Sequence, residues 1–545
     1  MQWLLTLGLL LGDPGAQDAG ESQRPLNVVW LVVEDMSPWI ACYGDATVQT
    51  PNLDAFAAES VRFTAAFATS PVCAPARSSL ITGLHATRIG SMHMRTGNPS
   101  SAALEADPAA YDEIPTYEAV PPVGARCFPE LLRSTGHYCT NAAKTDYQFR
   151  APATVWDASR GGAHWHDRPE GAPFFAVFNF SGTHESQAFP DARRRPSVIA
   201  PEDVSVPPLY PDTPAVRDAL ARTYDNIAAM DAWVGARLDE LAEAGLADET
   251  VVFFFSDHGV GLPRGKRSPY DLGTRVPLLV RLPGVEGRTE GRVVSFVDFG
   301  PTVLSLAGID PAGVFDGVPF LGPYARAGDG LAFAHADRFD AVYDRARSVT
   351  DGRFRLVRNY LTELPHLIDN AYARRLPMRG DLEARRGDVP TSEEQWQVVS
   401  DSRPVEELYD SATDPWETHD RIDDPALAEV RLRLTRALDG WIEATGDLGL
   451  VLPERRMVEE RLWRGEIQPV TATPRLVRQE GGWAIECTTE GASLGWRVAE
   501  DDPWRVFDRP FVPPEVESIE LYAHRIGFEP AAVRVALTSR TPDDR

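Results

Sequence analysis

Cysteine is scarce in this chain, with five residues in 545. The five thiols form no CxxC pair and have no zinc-like spacing, which argues against a redox dithiol or a zinc site. An odd number leaves at least one thiol unpaired. A Cys127–Cys139 bridge stays open if the protein is exported, and we expect Cys42 and Cys487 to be buried free thiols.

Basic residues are also few relative to acidic ones: 54 Lys and Arg face 80 Asp and Glu, a formal net charge of −26. This balance argues against unaided nucleic-acid binding, because phosphate contacts require a basic surface. It does not exclude an anionic substrate, since a pocket can differ in sign from the whole surface. The length predicts one large core and at least one smaller unit.

Long hydrophobic runs are missing as well. No stretch reaches the roughly 20 continuous apolar residues that a membrane helix needs, so we expect no transmembrane anchor. A shorter apolar run at residues 3–11, followed by Gly, Pro and small residues, predicts a signal peptide over residues 1–22. The alternative is a frayed apolar terminus. The signal peptide predicts a periplasmic or secreted protein.

Three nearly continuous apolar runs predict buried strands of a parallel sheet. They cover residues 27–33, 174–180 and 250–256. Each is followed by residues capable of chemistry: Glu34 and Asp35, His184 and Glu185, and Asp257 and His258. Ligands bind at the carboxyl ends of strands in open α/β sheets, so these groups are expected to share one site.

Helical patterns at residues 50–60 and 215–244 alternate with these strands, which is typical of a doubly wound α/β core. Strands at 351–360 and 405–410 and a helix at 427–445 predict a smaller α+β unit. After residue 465, short alternating strands predict an extra β-sandwich-like unit. The predicted domains are residues 25–330, 331–450 and 465–545.

The segment PVCAPARSSLITG places Cys73 where a helix is predicted to begin. Free amides and the positive end of the helix dipole would face whatever Cys73 binds or becomes. Arg77, one turn later, lies on the same side and can hold an oxyanion with two hydrogen bonds. The pattern indicates an anion site with a nucleophile at its mouth.

CAPARSSLITG resembles the Cys-x-Pro-x-Arg signature of the formylglycine-dependent type I sulfatases, within the alkaline phosphatase-like superfamily. NVVWLVVEDMSP, FFFSDHG, LPRGKRSPYDLGTRVPLLV and ELYDSATDPWE are similar to other stretches of that family, so the resemblance covers residues 25–450. EDMSP, NAAKTDYQF and FNFSGTHES resemble the heparan N-sulfatase-like branch. Ala76 and Glu34 depart from the Ser and Asp usual in the family.

The resemblance implies that a formylglycine-generating enzyme oxidises Cys73 to formylglycine, whose hydrated form attacks sulfur. It also implies a metal site formed by Glu34, Asp35, Asp257, His258 and the modified Cys73. Oxygen-rich ligands suit a hard divalent ion, calcium or magnesium. A carboxylate pair that faces solvent or caps a helix is the competing interpretation of Glu34 and Asp35.

Further roles follow from the resemblance. Lys144, Lys266 and Arg77 would offset charge on the transferring sulfate, although exposed lysines are usually just solvated. His184 is the candidate acid for the leaving group, unless it is a core histidine. Many relatives have a histidine base at the position of Asp146; either Asp146 takes this role or another group does, so the base stays open. Three further residues are candidates for substrate binding: His93, Arg95 and Arg338.

These observations predict a sulfuric ester hydrolase that removes sulfate from a sulfated carbohydrate, in O- or N-linkage, and that resembles N-sulfoglucosamine sulfohydrolase. Two alternatives stay open. One is a phosphonate monoester hydrolase or phosphodiesterase of the same superfamily. The other is an inactive glycan-binding protein.

Overall fold

A computed structural model describes residues 26–97, 108–192, 195–386, 392–465 and 467–537. The predicted signal peptide, residues 1–22, lies outside these ranges. Within them, no helix has both the length and the apolar character needed to cross a membrane.

Eight strands form the central sheet: β1 (Asn27–Val33), β2 (Val61–Phe67), β3 (Tyr138–Ala142), β4 (Ala158–Ser159), β5 (Phe174–Phe180), β6 (Thr250–Ser256), β7 (Arg275–Arg281) and β8 (Arg288–Ser295). Their order is β4-β3-β5-β1-β6-β7-β2-β8. All of them run in one direction except β7, which is antiparallel to both neighbours. The predicted mostly parallel α/β sheet is confirmed, and its three predicted strands are β1, β5 and β6.

Both faces of the sheet are buried, which explains why these strands are apolar without alternation. In β1, Val28, Trp30 and Val32 contribute to the core on one face. Val29, Leu31 and Val33 contribute to the core on the other face. Successive side chains of a strand point to opposite faces, so a strand covered on both sides must be apolar at every position.

Helices cover both faces. The longest, Pro214–Glu243, begins at the N-cap Thr213, whose side chain accepts a hydrogen bond from the amide of Val216. The other α-helices in the described ranges are Pro51–Ala58, Cys73–Thr82, Ala86–Ile89, Phe128–Ser134, Asp271–Thr274, Phe299–Leu306, Met378–Glu383, Glu393–Val399, Ala428–Thr445 and Glu454–Met457. This is the doubly wound arrangement that the sequence predicts.

A second, antiparallel sheet follows in the chain: β9 (Ala332–Ala336), β10 (Ala346–Thr350), β11 (Phe354–Asn359) and β12 (Glu406–Asp410). The helix Ala428–Thr445 packs on it through Leu434, Leu438 and Trp441. The connection between β11 and β12 leaves this sheet. Its residues Leu376 and Met378 pack into the core on one face of the central sheet, so this connection contacts the larger unit.

The C-terminal part forms two small sheets: β13 (Arg475–Gln479) with β14 (Gly482–Glu486), and β15 (Ser493–Arg497), β16 (Arg505–Val506), β17 (Ser518–His524) and β18 (Ala531–Ala536). They share a core that contains Ile485, Trp496 and Leu521. The unit contacts the rest of the chain through Glu130, whose carboxylate accepts a hydrogen bond from Ser493 at 2.8 Å. The predicted β-sandwich-like unit is confirmed; the three domain boundaries stay predictions.

All five cysteines lie within the described ranges and are unpaired. Cys127 and Cys139 are both fully buried and do not form the bridge that the sequence left open. Cys42 and Cys487 are half-buried free thiols.

Candidate active site

The residues that follow four neighbouring parallel strands lie at one edge of the sheet. In the order β3-β5-β1-β6, these strands are followed by Lys144, by His184, by Glu34 and Asp35, and by Asp257 and His258. Val33 of β1 and Ser256 of β6 are paired in register. The two acidic segments therefore leave adjacent strands side by side, at the edge where α/β proteins bind ligands.

Cys73 is the first residue of a ten-residue helix that is buried throughout. Its N-cap, Val72, has no side chain that can accept hydrogen bonds from the first amides, so these amides are free for another partner. The Cys73 Sγ lies 3.3 Å from His258 Nε2 and 3.7 Å from Lys266 Nζ. The helix therefore presents Cys73 to the strand-end residues.

The charges around Cys73 favour its ionised form. Burial alone would raise the pKa of the Cys73 thiol, but the ammonium groups of Lys144 and Lys266 lower this pKa to about 6. A site that stabilises a thiolate also stabilises other anions at the same place.

The strand-end residues have the composition of a site for a hard divalent ion. Two groups bring their ligand atoms within 4.8 Å of one another: Glu34, Asp35, Cys73 and His184, and Cys73, Asp257 and His258. Three carboxylates dominate this set, which fits calcium or magnesium. Asp35 has a left-handed backbone, with φ of 51°, a strained conformation that is common at functional sites.

His258 is oriented by hydrogen bonds on both ring nitrogens. Its Nδ1 lies 2.9 Å from the carbonyl oxygen of Gly259, and its Nε2 lies 3.1 Å from Asp35 Oδ1. Burial lowers the pKa of His258, but the carboxylates of Asp257 and Asp35 outweigh it and raise this pKa to about 10. These carboxylates thus attract positive charge to the point where a divalent ion would bind.

Arg77 reaches the same point from the helix. Its Nε donates to Asp257 Oδ2 at 3.0 Å, and its Nη1 donates to Asn179 Oδ1 at 2.8 Å. The remaining Nη2 is buried and has no hydrogen-bond partner among the described residues. A buried donor without a partner is costly, and an oxyanion bound beside Cys73 would satisfy it.

Two lysines, Lys266 and Lys144, add further positive charge to the site. Lys266 is 5% exposed, and its Nζ donates to Asp35 Oδ2 at 2.7 Å. Lys144 Nζ donates to Glu34 Oε2 at 2.5 Å. Burial lowers the pKa of each lysine, but nearby anionic groups outweigh it and raise both pKa values. Both side chains therefore stay charged, and neither is a freely solvated surface lysine.

His184 lies at the rim of this cluster and is half-buried. Its Nδ1 lies 2.9 Å from Ser186 Oγ, and its Nε2 lies 3.2 Å from Lys266 Nζ. Burial and Lys266 lower the pKa of His184, but Asp35 and Cys73 raise it above its ordinary value. A half-exposed imidazole beside the anion site has the position that proton donation to a leaving group requires.

Asp146, the candidate base, faces a different partner. Its Oδ1 accepts a hydrogen bond from Arg95 Nη1 at 2.9 Å. This ion pair is partly exposed and lies two residues beyond Lys144. The structure thus joins Asp146 to Arg95, the predicted substrate-binding residue.

His93 and Arg338, the other two predicted substrate-binding residues, are buried, and their predicted role stays a prediction. Arg338 is 0% and His93 3% exposed. Both Nε and Nη2 of Arg338 donate to the carboxylate of Glu454 at 2.8 Å, and the Arg338 amide donates to His93 Nδ1 at 3.2 Å. Both side chains are therefore occupied in the interior.

Two contributors, Asn179 and Arg267, were missed by the sequence analysis, and Glu185 makes contacts that it did not predict. Asn179 holds Arg77, and only its polarity within the apolar FNF run signals it. The amide of Glu185 donates to Asp35 Oδ2 at 2.7 Å. The carboxylate of Glu185 accepts two hydrogen bonds from Arg267, at 2.8 and 2.7 Å. No local pattern in the sequence predicts these pairings.

Comparison with known proteins identifies the family. Residues 26–150 and 154–309 match the Sulfatase family model. This chain belongs to the sulfatase family. It is 38% identical to an ulvan-active sulfatase of Formosa agariphila, over 93% of this chain and 90% of the relative. It is 28% identical to human N-sulphoglucosamine sulphohydrolase, over 81% and 94% of the two chains.

The fold is shared with solved structures of other proteins. One of these structures is BT4656 in complex with its substrate D-glucosamine-2-N,6-O-disulfate. It superposes with a TM-score of 0.52 at 16% identity, and the match covers 78% of this chain and 98% of that one. The alkaline phosphatase-like architecture predicted from the sequence is confirmed.

Proposed function

We propose that this sulfatase hydrolyses sulfate groups of a sulfated glycan, in O- or N-linkage, and that the site around Cys73 carries the reaction. The observation that carries this proposal is that two cationic side chains are placed beside Cys73. Lys266 Nζ lies 3.7 Å from the Cys73 Sγ. Arg77 lies one turn further along the same helix, and its Nη2 has no partner among the described residues. Similarity to a relative named as ulvan-active supports a polysaccharide substrate.

We propose that Cys73 is converted to formylglycine, whose hydrated aldehyde supplies the nucleophilic oxygen. Cys73 is 1% exposed and lies in a helix that is buried throughout. A formylglycine-generating enzyme therefore has to reach it before the chain folds. This timing fits export through the predicted signal peptide to the periplasm or the exterior.

Within the site, the residues have separate tasks. Arg77, Lys144 and Lys266 bind the sulfate oxygens and offset their charge. His184 donates a proton to the oxygen or nitrogen that leaves with the sugar. The overall reaction consumes one water and yields the free hydroxyl or amine and inorganic sulfate.

A divalent ion, calcium or magnesium, would add positive charge against the sulfate oxygens. Glu34, Asp35, Asp257 and His258 would hold it together with residue 73. The domain boundaries proposed from the sequence place all these residues in the catalytic unit, residues 25–330.

The reaction class is tested with matched aryl esters, 4-methylumbelliferyl sulfate and 4-methylumbelliferyl phosphate, on protein coexpressed with a formylglycine-generating enzyme. We expect a higher kcat/KM for the sulfate. A higher kcat/KM for the phosphate would assign the protein to the phosphonate hydrolase or phosphodiesterase alternative. No turnover of either ester would favour the glycan-binding alternative.

Chelation tests the divalent ion. We expect prolonged dialysis against EDTA to lower sulfate release by about tenfold or more, because the carboxylates of the site then lack their neutralising charge. Calcium or magnesium added back should restore the rate, and the more effective ion identifies the native one. A fully active chelated enzyme would contradict the proposed metal site.

Lys266→Met tests the buried ammonium. The substitution keeps the length of the side chain but leaves Asp35 and Glu185 without this partner, and it removes a positive charge 3.7 Å from Cys73 Sγ. We expect kcat/KM for 4-methylumbelliferyl sulfate to fall by about a hundredfold. Lys266→Arg, which keeps the charge, should lose less. Equal losses in both variants would argue that shape, and not charge, matters at this position.

A further inference from the structure

One cavity of this molecule lies away from the Cys73 site. Its volume is about 390 Å³, within the range of roughly 300–1,000 Å³ that is usual for small-molecule pockets. His85 lines it and follows the far end of the helix Cys73–Thr82. This helix has ten residues, and at about 1.5 Å of rise per residue it separates the two places by about 15 Å. The described residues that line the cavity include none of those assigned to the Cys73 site.

The cavity lies where the central sheet and the second sheet meet. Residues of β8 line it from the central sheet, and a residue of β9 lines it from the second sheet. The helix Ala428–Thr445 forms a further wall through Trp441 and Ala444. Residues 327–330 also line the cavity, and they are exposed. A ligand can therefore enter from solvent past this segment.

His85 is a buried polar side chain that lacks a hydrogen-bond partner. It is 5% exposed. Within the described ranges its amide donates to Asp316 Oδ2 at 2.8 Å, but neither nitrogen of its ring is hydrogen-bonded. The ring packs edge-on against Trp441, with centroids 5.1 Å apart. Burial lowers the pKa of His85 to about 4, so the ring is neutral at neutral pH and one nitrogen can accept a hydrogen bond from a ligand.

The charged groups that line the cavity are all negative. They are the carboxylates of Asp298, Asp316 and Asp329, and none of the described lining residues is Lys or Arg. Asp316 is already paired with Arg88. Asp298 accepts two hydrogen bonds from backbone amides, at 2.8 Å each, but pairs with no cation among the described residues. The negative charges of Asp298 and Asp329 are thus unmatched, which favours a cationic ligand and disfavours a sulfated one.

We propose that this cavity binds a protonated primary amine that carries a small uncharged body, such as an amino sugar or an amino alcohol. The three N–H bonds of an ammonium group can be shared among the carboxylates of Asp298 and Asp329 and the ring of His85. Phe333 and Trp441 also line the cavity, and aromatic rings attract cations. The site is distinct from the anion site at Cys73, because its ligand has the opposite charge.

Isothermal titration calorimetry on the full chain tests the class of ligand. The probes are two amines, D-glucosamine and ethanolamine, and two neutral sugars, D-glucose and N-acetyl-D-glucosamine. We expect the amines to bind at least about tenfold more tightly than the neutral sugars, because only an ammonium group matches the carboxylates. The tighter of the two amines identifies the source, an amino sugar or a small amino alcohol. Equal Kd values for D-glucosamine and D-glucose, or no binding of either amine, would overturn the proposal.

A matched pair of variants at Ala444 tests the location. Ala444 lines the cavity from an exposed position of its helix, so a substitution there should not disturb folding. Ala444→Lys adds a positive charge beside the ligand and should raise the Kd of the amine by about fivefold or more. Ala444→Gln adds an uncharged side chain and should leave the Kd unchanged. A wild-type Kd in Ala444→Lys would mean that the amine binds elsewhere, and the proposal would then be wrong.

His85→Phe tests the unpaired imidazole. Phenylalanine keeps the edge contact with Trp441 but removes both ring nitrogens. We expect the Kd of the amine to rise by about tenfold, because the ammonium group then loses an acceptor, while the Tm does not fall. An unchanged Kd would contradict the assigned role of His85. If this variant fails to fold, the Ala444 pair still decides the location. None of these measurements depends on sulfate release, so their failure would leave the proposed function untouched.

Discussion

Cys73→Ala abolishes sulfate release: we expect kcat to fall by on the order of a thousandfold or more, since the nucleophile is lost while substrate binding is retained. Cys73 is the first helical residue, and within the described ranges the hydrogen-bond partners of its Sγ are residues of the site, among them Asp35, His258 and Lys266. Alanine is compatible with this position, so the variant should fold.

Cys139→Ala is the matched control. Cys139 is also fully buried and unpaired, but among the described residues its Sγ hydrogen-bonds to backbone carbonyls, those of Pro129 and His137. We expect a small loss of stability, about 1 kcal/mol, with kcat unchanged. Mass spectrometry of the peptide that contains residue 73 should show the aldehyde in wild type. Full activity of Cys73→Ala would contradict the mechanism.

Arg347→Met destabilises the protein by about 3–5 kcal/mol, because it leaves two buried carboxylates without their cation. Arg347 is 0% exposed. Its guanidinium donates twice to Asp337, at 3.1 Å in both cases, and twice to Asp447, at 2.5 and 2.8 Å. The measurement is the free energy of unfolding in urea at neutral pH.

The destabilisation caused by Arg347→Met is expected to depend on pH. Burial raises the pKa of Asp337, but Arg347 and His335 outweigh it and hold this pKa below its ordinary value. The wild-type pair therefore contributes stability at neutral pH that is lost as the pH falls through the low folded pKa. In Arg347→Met the carboxylates gain a proton more readily, so the difference in free energy of unfolding between wild type and variant should become smaller in acid. A difference that grows in acid would contradict this account.

Arg433→Met is the control within the same unit. Arg433 is 50% exposed and pairs with Asp351 across the solvent-facing side of the helix Ala428–Thr445. Exposed pairs of this kind contribute about 0–1 kcal/mol. A loss as large as that of Arg347→Met would mean that burial does not explain the difference.

Much of the fold follows from local sequence pattern. The apolar runs that became β1, β5 and β6 could be predicted because strands buried on both faces must be apolar throughout. The long helix Pro214–Glu243 was predictable from its spacing of apolar residues and its Thr-Pro start. Less could be said of β7, because its reversed direction is set by tertiary pairing that its own residues do not encode.

The candidate site also contains residues that could be predicted from the sequence and residues that could not. Cys73, Arg77 and the acidic strand ends could be predicted, because each lies where a strand or helix ends and the fold brings such ends together. Asn179 was missed, and the contacts of Glu185 could not be predicted, because both depend on partners far away in the chain, Arg77 and Asp35. The buried partners of His93 and Arg338 could not be predicted either. Nothing local shows that Arg338 is neutralised by Glu454, 116 residues later.

The β11–β12 connection shows a further limit of sequence reasoning. Its residues were assigned to the smaller α+β unit, yet several of them, among them Leu376 and Met378, pack into the core of the central sheet. This assignment depends on where a long connection crosses the surface, which composition and periodicity do not determine.

The central claim is tested most directly by inorganic sulfate release from defined sulfated oligosaccharides, by wild type matured with a formylglycine-generating enzyme. Ulvan oligosaccharides and heparan sulfate disaccharides form the panel, and Cys73→Ala runs beside the wild type. The account predicts release from at least one glycan and none from the variant. No sulfate release from any glycan, or equal release by Cys73→Ala and wild type, would contradict the account.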